Sequence, residues 1–284
     1  MNVRGVIPAN EAMVGRFAEC VRHENVSPLT YKGTNTWILA APGDDRCLVV
    51  DPGPADEACV DRIAAACRKR ALSVAAIALT HRHPDHAGCA RTASEVLGAP
   101  VLCAPSPRRE VDPAVICEVD GDLEPGPLVV EGVNLAVEVV PLPGHSSDSV
   151  GFYVPDGDFV VTGDVIFAQS STMVCWPDGR LDDYMDSLDR LAHLVDSRGV
   201  RQLLTAHGPV VEHPAERIDQ ARRHRVQRLN QVVAAVRSGI PANAEQLVDA
   251  IYNDVPANLH DGAVRSVNAQ LRYAFDRGML QENK

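Results

Sequence analysis

The chain has 284 residues, with 27 Lys and Arg against 38 Asp and Glu, a formal net charge of −11, and aromatics at only 4%. That length can bury a real core without disulfides or a structural metal, and the acidic balance argues against a general polyanion binder. Eight cysteines, at 20, 47, 59, 67, 89, 103, 117 and 175, form no C-x-x-C pair, which argues against a disulfide or zinc-knuckle framework.

The opening MNVRGVIPANEAM lacks the cationic start and apolar run of an export signal, and no stretch approaches the roughly 18 continuous apolar residues of a membrane span. A soluble, cytoplasmic protein with no membrane partner is expected. From residue 35 to about 212, short apolar runs bounded by Gly, Pro or Asp read as strands: TWILAAP, RCLVVDPG, VAAIALT, APVLCAP, VNLAVEVVPL, SVGFYV, DFVVTGD and VRQLLTAHG. Helical spacing predicts ADEACVDRIAAACRKRA, HAGCARTASEVLG and LDDYMDSLDRLAHLVDS as helices. The last carries an apolar stripe through Leu181, Tyr184, Met185, Leu188, Leu191, Ala192 and Val195. Strands outnumber helices, so a layered α/β or sandwich arrangement is expected.

Past residue 212 the character changes. PAERIDQARRHRVQRLNQVVAAVRSG reads as one long helix with Pro214 in its first turn and Gly239 after its last; AEQLVDAIYN and LHDGAVRSVNAQLRYAFDRG read as two more. Residues 1–212 are expected to form the main domain and 213–284 a small helical appendage like a winged-helix unit, although little chain remains after Gly278 for a wing. From residue 213 onward, 10 basic residues face 8 acidic ones, a local excess of +2 concentrated in Arg217, Arg222, Arg223, Arg225 and Arg228. A solvated helix face and a nucleic-acid contact both fit that run.

The densest chemistry is in THRHPDHAG, where His81, His83, Asp85 and His86 follow a strand and open a helix. Imidazole and carboxylate suit zinc, iron or manganese, but ligands this close in sequence cannot surround one ion and need partners from elsewhere. Other apolar runs supply them: EVVPLPG ends at His145, FVVTG at Asp164 and LLTA at His207. Strands aligned in one sense would gather these ends at one sheet edge. His23, His193, His213, His224 and His260 lack such a context and read as structural or surface residues.

THRHPDHAG, PGHSSDSVGFYV, FVVTGDVIF and LLTAHGPVV, in this order, resemble the motifs of the metallo-β-lactamase-fold hydrolase superfamily across about residues 30–212. DYMDSLDRL, AHGPVVEHPAERI and LVDAIYNDVPANLHDGAVRSVNAQLRYAFDRG are similar to the β-lactamase-like protein 2 family. One departure is Ala206, where the family usually has Gly before its last histidine. Asp51 in VVDPG resembles the superfamily aspartate that supports the site, and the start of a D-P-G turn accounts for it equally well. The resemblance implies an αββα sandwich with a winged-helix-like C-terminal domain and two metal ions: His81, His83 and His145 on the first, Asp85, His86 and His207 on the second, and Asp164 bridging. It implies two zinc ions, with manganese or iron compatible with the same donors, and a homodimer, since superfamily members are often dimers.

Two adjacent cations would lower the pKa of a bound water toward neutrality, with Asp85 as the catalytic group that orients the hydroxide and takes its proton. This chemistry suits phosphodiesters, thioesters and lactones alike. The resemblance and the arginine-rich helix favour single-stranded RNA or another phosphodiester. A thioester or lactone of a small metabolite is the alternative, with residues 168–180 and Trp176 as the pocket lip. A third reading is a non-catalytic nucleic-acid-binding protein that keeps its metals for structure.

Overall fold

The structure is a computed structural model that describes residues 11–107, 119–252 and 256–281. Cys117 lies outside the described residues. The chain opens with β1 (Glu11–Val14), β2 (Ala18–His23), β3 (Thr34–Leu39) and β4 (Arg46–Val50), then α1 (Glu57–Lys69), β5 (Ser73–Ala78), α2 (Pro84–Ala87), α3 (Ala90–Leu97), β6 (Val101–Cys103) and β7 (Gly121–Asp122). The second half runs through β8 (Gly126–Leu128), β9 (Val137–Pro141), β10 (Val150–Val154), β11 (Phe159–Gly163), α4 (Leu181–Arg198) and β12 (Gln202–Thr205). It ends in α5 (Pro214–Arg237), α6 (Ala244–Ile251) and α7 (His260–Asp276).

The described strands form a seven-stranded sheet in the order β1-β2-β3-β4-β5-β6-β7 and a five-stranded sheet in the order β12-β11-β10-β9-β8. Three apolar clusters define the layers. Leu39, Leu48, Val50 and Ala78 meet Val139, Phe152, Phe159 and Leu204 between the two sheets. Ile38, Val49 and Ile77 point outward onto Val60 and Ile63 of α1 and Ala90 and Ala93 of α3. On the other side, Val140, Val160 and Leu203 of the five-stranded sheet pack on α4 and, beyond it, on Ile218, Val232, Leu247, Val267 and Leu271 of the C-terminal helices. The expected αββα sandwich is present. Sheets covered on both faces explain why strands such as TNTWIL and VGFYV are buried at every position rather than alternately.

Three local differences from the sequence reading have physical causes. β1 and β2 precede the first strand anticipated, because AECVRH carries Glu19 and Arg22 and shows no continuous apolar run; Glu19 is buried all the same and pairs with Arg70 at 3.4 Å. The helix expected over 86–98 is broken into α2 and α3 at Cys89, whose backbone leaves the helical region at φ −103°, ψ 14° as its N–H turns to the Gly53 carbonyl at 3.1 Å. In the C-terminal segment the described residues form three helices and no strand, so the winged-helix likeness rests on its helices alone.

Candidate metal centre

The C-terminal ends of four strands converge on one point. β11 pairs with β12 in parallel, and β9 and β11 both run antiparallel to β10, so β9, β11 and β12 deliver His145, Asp164 and His207 to the same edge of the five-stranded sheet. β5 delivers His81 from the other sheet, so the site lies where the two sheets meet rather than along one sheet edge. An antiparallel bridge between Thr34 and His207 closes this seam, together with Asn35 Nδ2 donating to the Thr205 and Gly208 carbonyls. Glycine makes the turns possible. Gly144 has φ +131° and would place a Cβ 2.4 Å from Tyr184 Cα; Gly163 has φ +52° and would place one 2.6 Å from Thr80 Oγ1. Ala206 is buried at an ordinary φ, the left-handed turn falling on Gly208 instead, so the departure before the last histidine leaves the turn intact.

The seven side chains read from the sequence lie together. His81, His83 and His145 form one group with donor atoms within 4.8 Å of one another; Asp85, His86 and His207 form a second, and His81, His86 and Asp164 a third that links them. His83 Nδ1 stands 2.9 Å from both His81 Nε2 and His145 Nε2. Asp164 Oδ1 lies 3.3 Å from His86 Nε2 and from His207 Nε2, and its Oδ2 lies 3.5 Å from His145 Nε2. Asp85 Oδ2 is 3.2 Å from His207 Nε2 and 3.7 Å from His86 Nε2.

The outward ring nitrogens are held by the protein, which fixes what faces inward. His86 Nδ1 donates to Asp51 Oδ2 at 2.9 Å, His145 Nδ1 to the Met173 carbonyl at 2.7 Å and His207 Nδ1 to the Gly33 carbonyl at 3.2 Å. Thr80 Oγ1 donates to Asp51 Oδ2 at 2.7 Å and so accepts from His81 Nδ1 at 3.1 Å. Each of these four rings therefore turns Nε2 toward the centre, the nitrogen free to meet a cation once any proton on it is released. Asp51 is thus a support of the site through His86 and Thr80, although it also sits in a left-handed turn at φ 54°.

Burial and the neighbouring His86 and His83 hold His81 well below the ordinary histidine range, and burial and His83 bring His145 down to about 4. Burial disfavours charge on His86 and His207 too, yet Asp164 outweighs it and raises both, His207 to about 9. Burial likewise works against the Asp85 and Asp164 carboxylates, but the same histidines win and lower both, Asp85 to about 2. His86 Nε2 and Asp164 Oδ1 are buried and make no hydrogen bond. The His81 and His145 nitrogens are neutral, while His86 and His207 hold protons against Asp85 and Asp164, protons that a bound cation would displace; with the ionised carboxylates and the orphaned buried atoms they form a donor set that fits divalent cations.

A cavity of about 210 Å³ opens onto the centre, lined by His83, Asp85, His145, Asp164 and His207 together with an apolar wall that includes Leu29, Tyr31, Phe167 and Met173. Residues 171–179 supply much of its lip, as expected. Trp176 itself does not line it; its ring lies 5.0 Å from the Arg180 guanidinium. The C-terminal helices hold the lip from behind. Arg217 donates to the Phe167 and Ser170 carbonyls, and Arg225 to Ser171 Oγ and the Thr172 carbonyl. Arg265 of α7 reaches the Trp176 carbonyl at 3.2 Å and lines the cavity. The arginine run is therefore largely engaged within the chain, with Arg222 paired to Asp189.

Arg265 and Arg225 lie far from the motifs in sequence, and only their helical spacing beside the buried Ile218, Leu229 and Val267 hints at an inward role. Among the remaining histidines, His23 is buried against Thr36, His193 and His213 are exposed, His260 lies 3.7 Å from Asp249, and His224 lines a second cleft.

The sequence profile of the Metallo-beta-lactamase superfamily matches residues 29–207. A beta-lactamase-like protein 2 homolog from Drosophila melanogaster is 28% identical over 270 residues, covering 92% of this chain and 88% of that protein. An atrochrysone carboxyl ACP thioesterase from Aspergillus fumigatus is 28% identical over 253 residues, covering 84% of this chain and 74% of that protein. In fold, the chain is similar to a beta-lactamase domain protein from Burkholderia ambifaria, with a TM-score of 0.77 at 20% identity, covering 96% of this chain and 90% of that one.

Proposed function

The chain belongs to the metallo-β-lactamase superfamily of metal-dependent hydrolases, and within it we propose that this protein hydrolyses acyl thioesters at a centre of two zinc ions. His81, His83 and His145 would hold one ion and Asp85, His86 and His207 the other, with Asp164 between them; manganese and iron suit the same nitrogen and oxygen donors. Such a pair supplies, when bound, Lewis acidity at the scissile carbonyl and a water acidic enough to attack near pH 7.

The protein's own contribution is to orient and to move a proton. The Asp85 side chain is 29% exposed, whereas that of Asp164 is 10% exposed, so Asp85 is the carboxylate of the pair that can reach an attacking water and take its proton. His207, 3.2 Å away, fixes the orientation of Asp85. Leu29, Phe167 and Met173 give the acyl chain an apolar wall, and Arg265 from α7 is a cation at its rim.

The observation that favours a thioester over RNA is that pocket. It is small and walled by apolar side chains, while Arg217, Arg222 and Arg225, which suggested a nucleic-acid contact, are engaged by backbone carbonyls or by Asp189. The thioesterase relative supports the same reading. The metal-loaded protein is expected to turn over an acyl thioester faster than a lactone or a single-stranded RNA, with Asp85→Asn lowering kcat by about 10²- to 10⁴-fold. Turnover of RNA with no thioester hydrolysis would overturn the reading.

A further inference from the structure

A second cleft of about 500 Å³ lies between α5 and α7, and Ser171, Thr172 and Met173 line both it and the cavity of the metal centre. One segment of the lip is therefore a wall common to both spaces. Its other walls include His224, Arg225, Arg228, Tyr252 and Gln270, and among the described residues lining it there is no carboxylate.

In a chain with eleven more acidic than basic residues, a cleft that bears two guanidinium groups and no described acid is a local exception. The Arg228 guanidinium lies 4.7 Å from the Tyr252 ring, and its hydrogen bonds go to His224 Nε2 and Gln231, both neutral acceptors. Because His224 Nε2 accepts from Arg228, its proton sits on Nδ1, and that N–H is buried with no acceptor. Arg225, itself 6% exposed, leaves its Nε–H without a partner; Gln270, 4% exposed, leaves Oε1 without one. Buried donors and acceptors are normally satisfied, and these three orphans all belong to side chains that line this one cleft. Burial, with a further contribution from the neighbouring Arg225, Arg228 and Arg217, also presses His224 down to about 4.

We propose that this cleft is a phosphate-binding subsite, which holds a phosphate on the arm of an elongated substrate whose scissile bond lies at the metal centre. Arg228 supplies the charge and a fork of donors that suits phosphate oxygens, and the Arg225 guanidinium adds to the positive lining. The inference rests on the thioester reading for its preferred source, a thiol arm ending in a phosphate monoester; a nucleotide phosphate offers the same chemistry.

The test uses the full-length, metal-loaded protein and a pair of probes that cannot react, S-methyl phosphopantetheine and S-methyl pantetheine, compared by calorimetry. At least tenfold tighter binding of the phosphorylated probe is expected, with the difference lost in Arg228→Gln and partly kept in Arg228→Lys. The kcat/KM ratio between acetyl-phosphopantetheine and acetyl-pantetheine should collapse toward one in Arg228→Gln. Equal binding of the two probes, or a difference that survives Arg228→Gln, overturns the subsite. If neither thioester is hydrolysed but the Arg228-dependent difference persists and a short 5′-phosphorylated oligonucleotide competes for it, the subsite stands and the thioester reading fails.

Discussion

Asp51 shows how one side chain can serve backbone and chemistry together. Its two oxygens accept from the Thr80 amide and hydroxyl and from His86 Nδ1, so it fixes the loop that carries His81 as well as the ring of His86. Asp51→Ala is expected to weaken metal affinity or activity by about 10- to 100-fold, the usual cost of losing a group that orients a ligand, as read by metal titration. Asp51→Asn, which retains the size but accepts less strongly, should fall between. His224 gives a pH signature away from the centre. Its folded value of about 4 lies below the ordinary 6.5, so the fold favours the neutral ring. That contribution to stability is present above pH 6.5 and is lost as pH falls from there toward 4. The melting temperature of the native chain should therefore drop more between pH 7.5 and 5 than that of His224→Gln; equal drops would remove the assignment. The H-x-H-x-D-H motif was legible because its spacing is local and its residue types are rare. The environments of His224 and Arg228 were not, since nothing in a single helical run says which helix will pack across it.

At the level of elements, α5 was readable as a helix from its period, its Pro214 start and its Gly239 stop, but its charges were misleading. Arg217 and Arg225 are eight residues apart and flank the buried stripe of Ile218, Ala221, Leu229 and Val232, so they face the core side and grip residues 167–172. The same segment accepts from His145 through the Met173 carbonyl, which makes Arg225 a positioning residue for that ligand. Arg225→Met is expected to cost about 1–3 kcal/mol of stability, because the Ser171 and Thr172 acceptors are left buried without a donor. It should lower kcat more than it raises KM, with Arg225→Lys recovering part of the loss; a change in KM alone would point to a purely binding role. Gly144→Ala forces a side chain into a left-handed turn against Tyr184 backbone, and a lower melting temperature with loss of bound metal is expected.

Over the whole molecule, the α/β layering was legible from alternating strand and helix patterns, whereas the meeting of two separate sheets at the site was not, because pairing between distant strands leaves no local mark. The C-terminal helices share one apolar cluster with α4 and the five-stranded sheet, and they also complete the lip of the catalytic cavity. Melting is accordingly expected to show one cooperative transition, and a chain ending at residue 212 should lose both solubility and turnover; two separate transitions in calorimetry would mark the helices as an independent unit. Among the described residues no helix is long and apolar enough to cross a membrane.

All of these expectations depend on seven side chains from two sheets closing around a pair of cations. The measurement that bears on this most directly is metal content per chain, by mass spectrometry of the purified protein after dialysis, for the native chain and for Asp164→Asn. Two divalent ions per native chain are expected, falling to one or fewer when Asp164 no longer stands between the two groups. A native chain that retains no metal, or an Asp164→Asn chain that retains both ions, would contradict it.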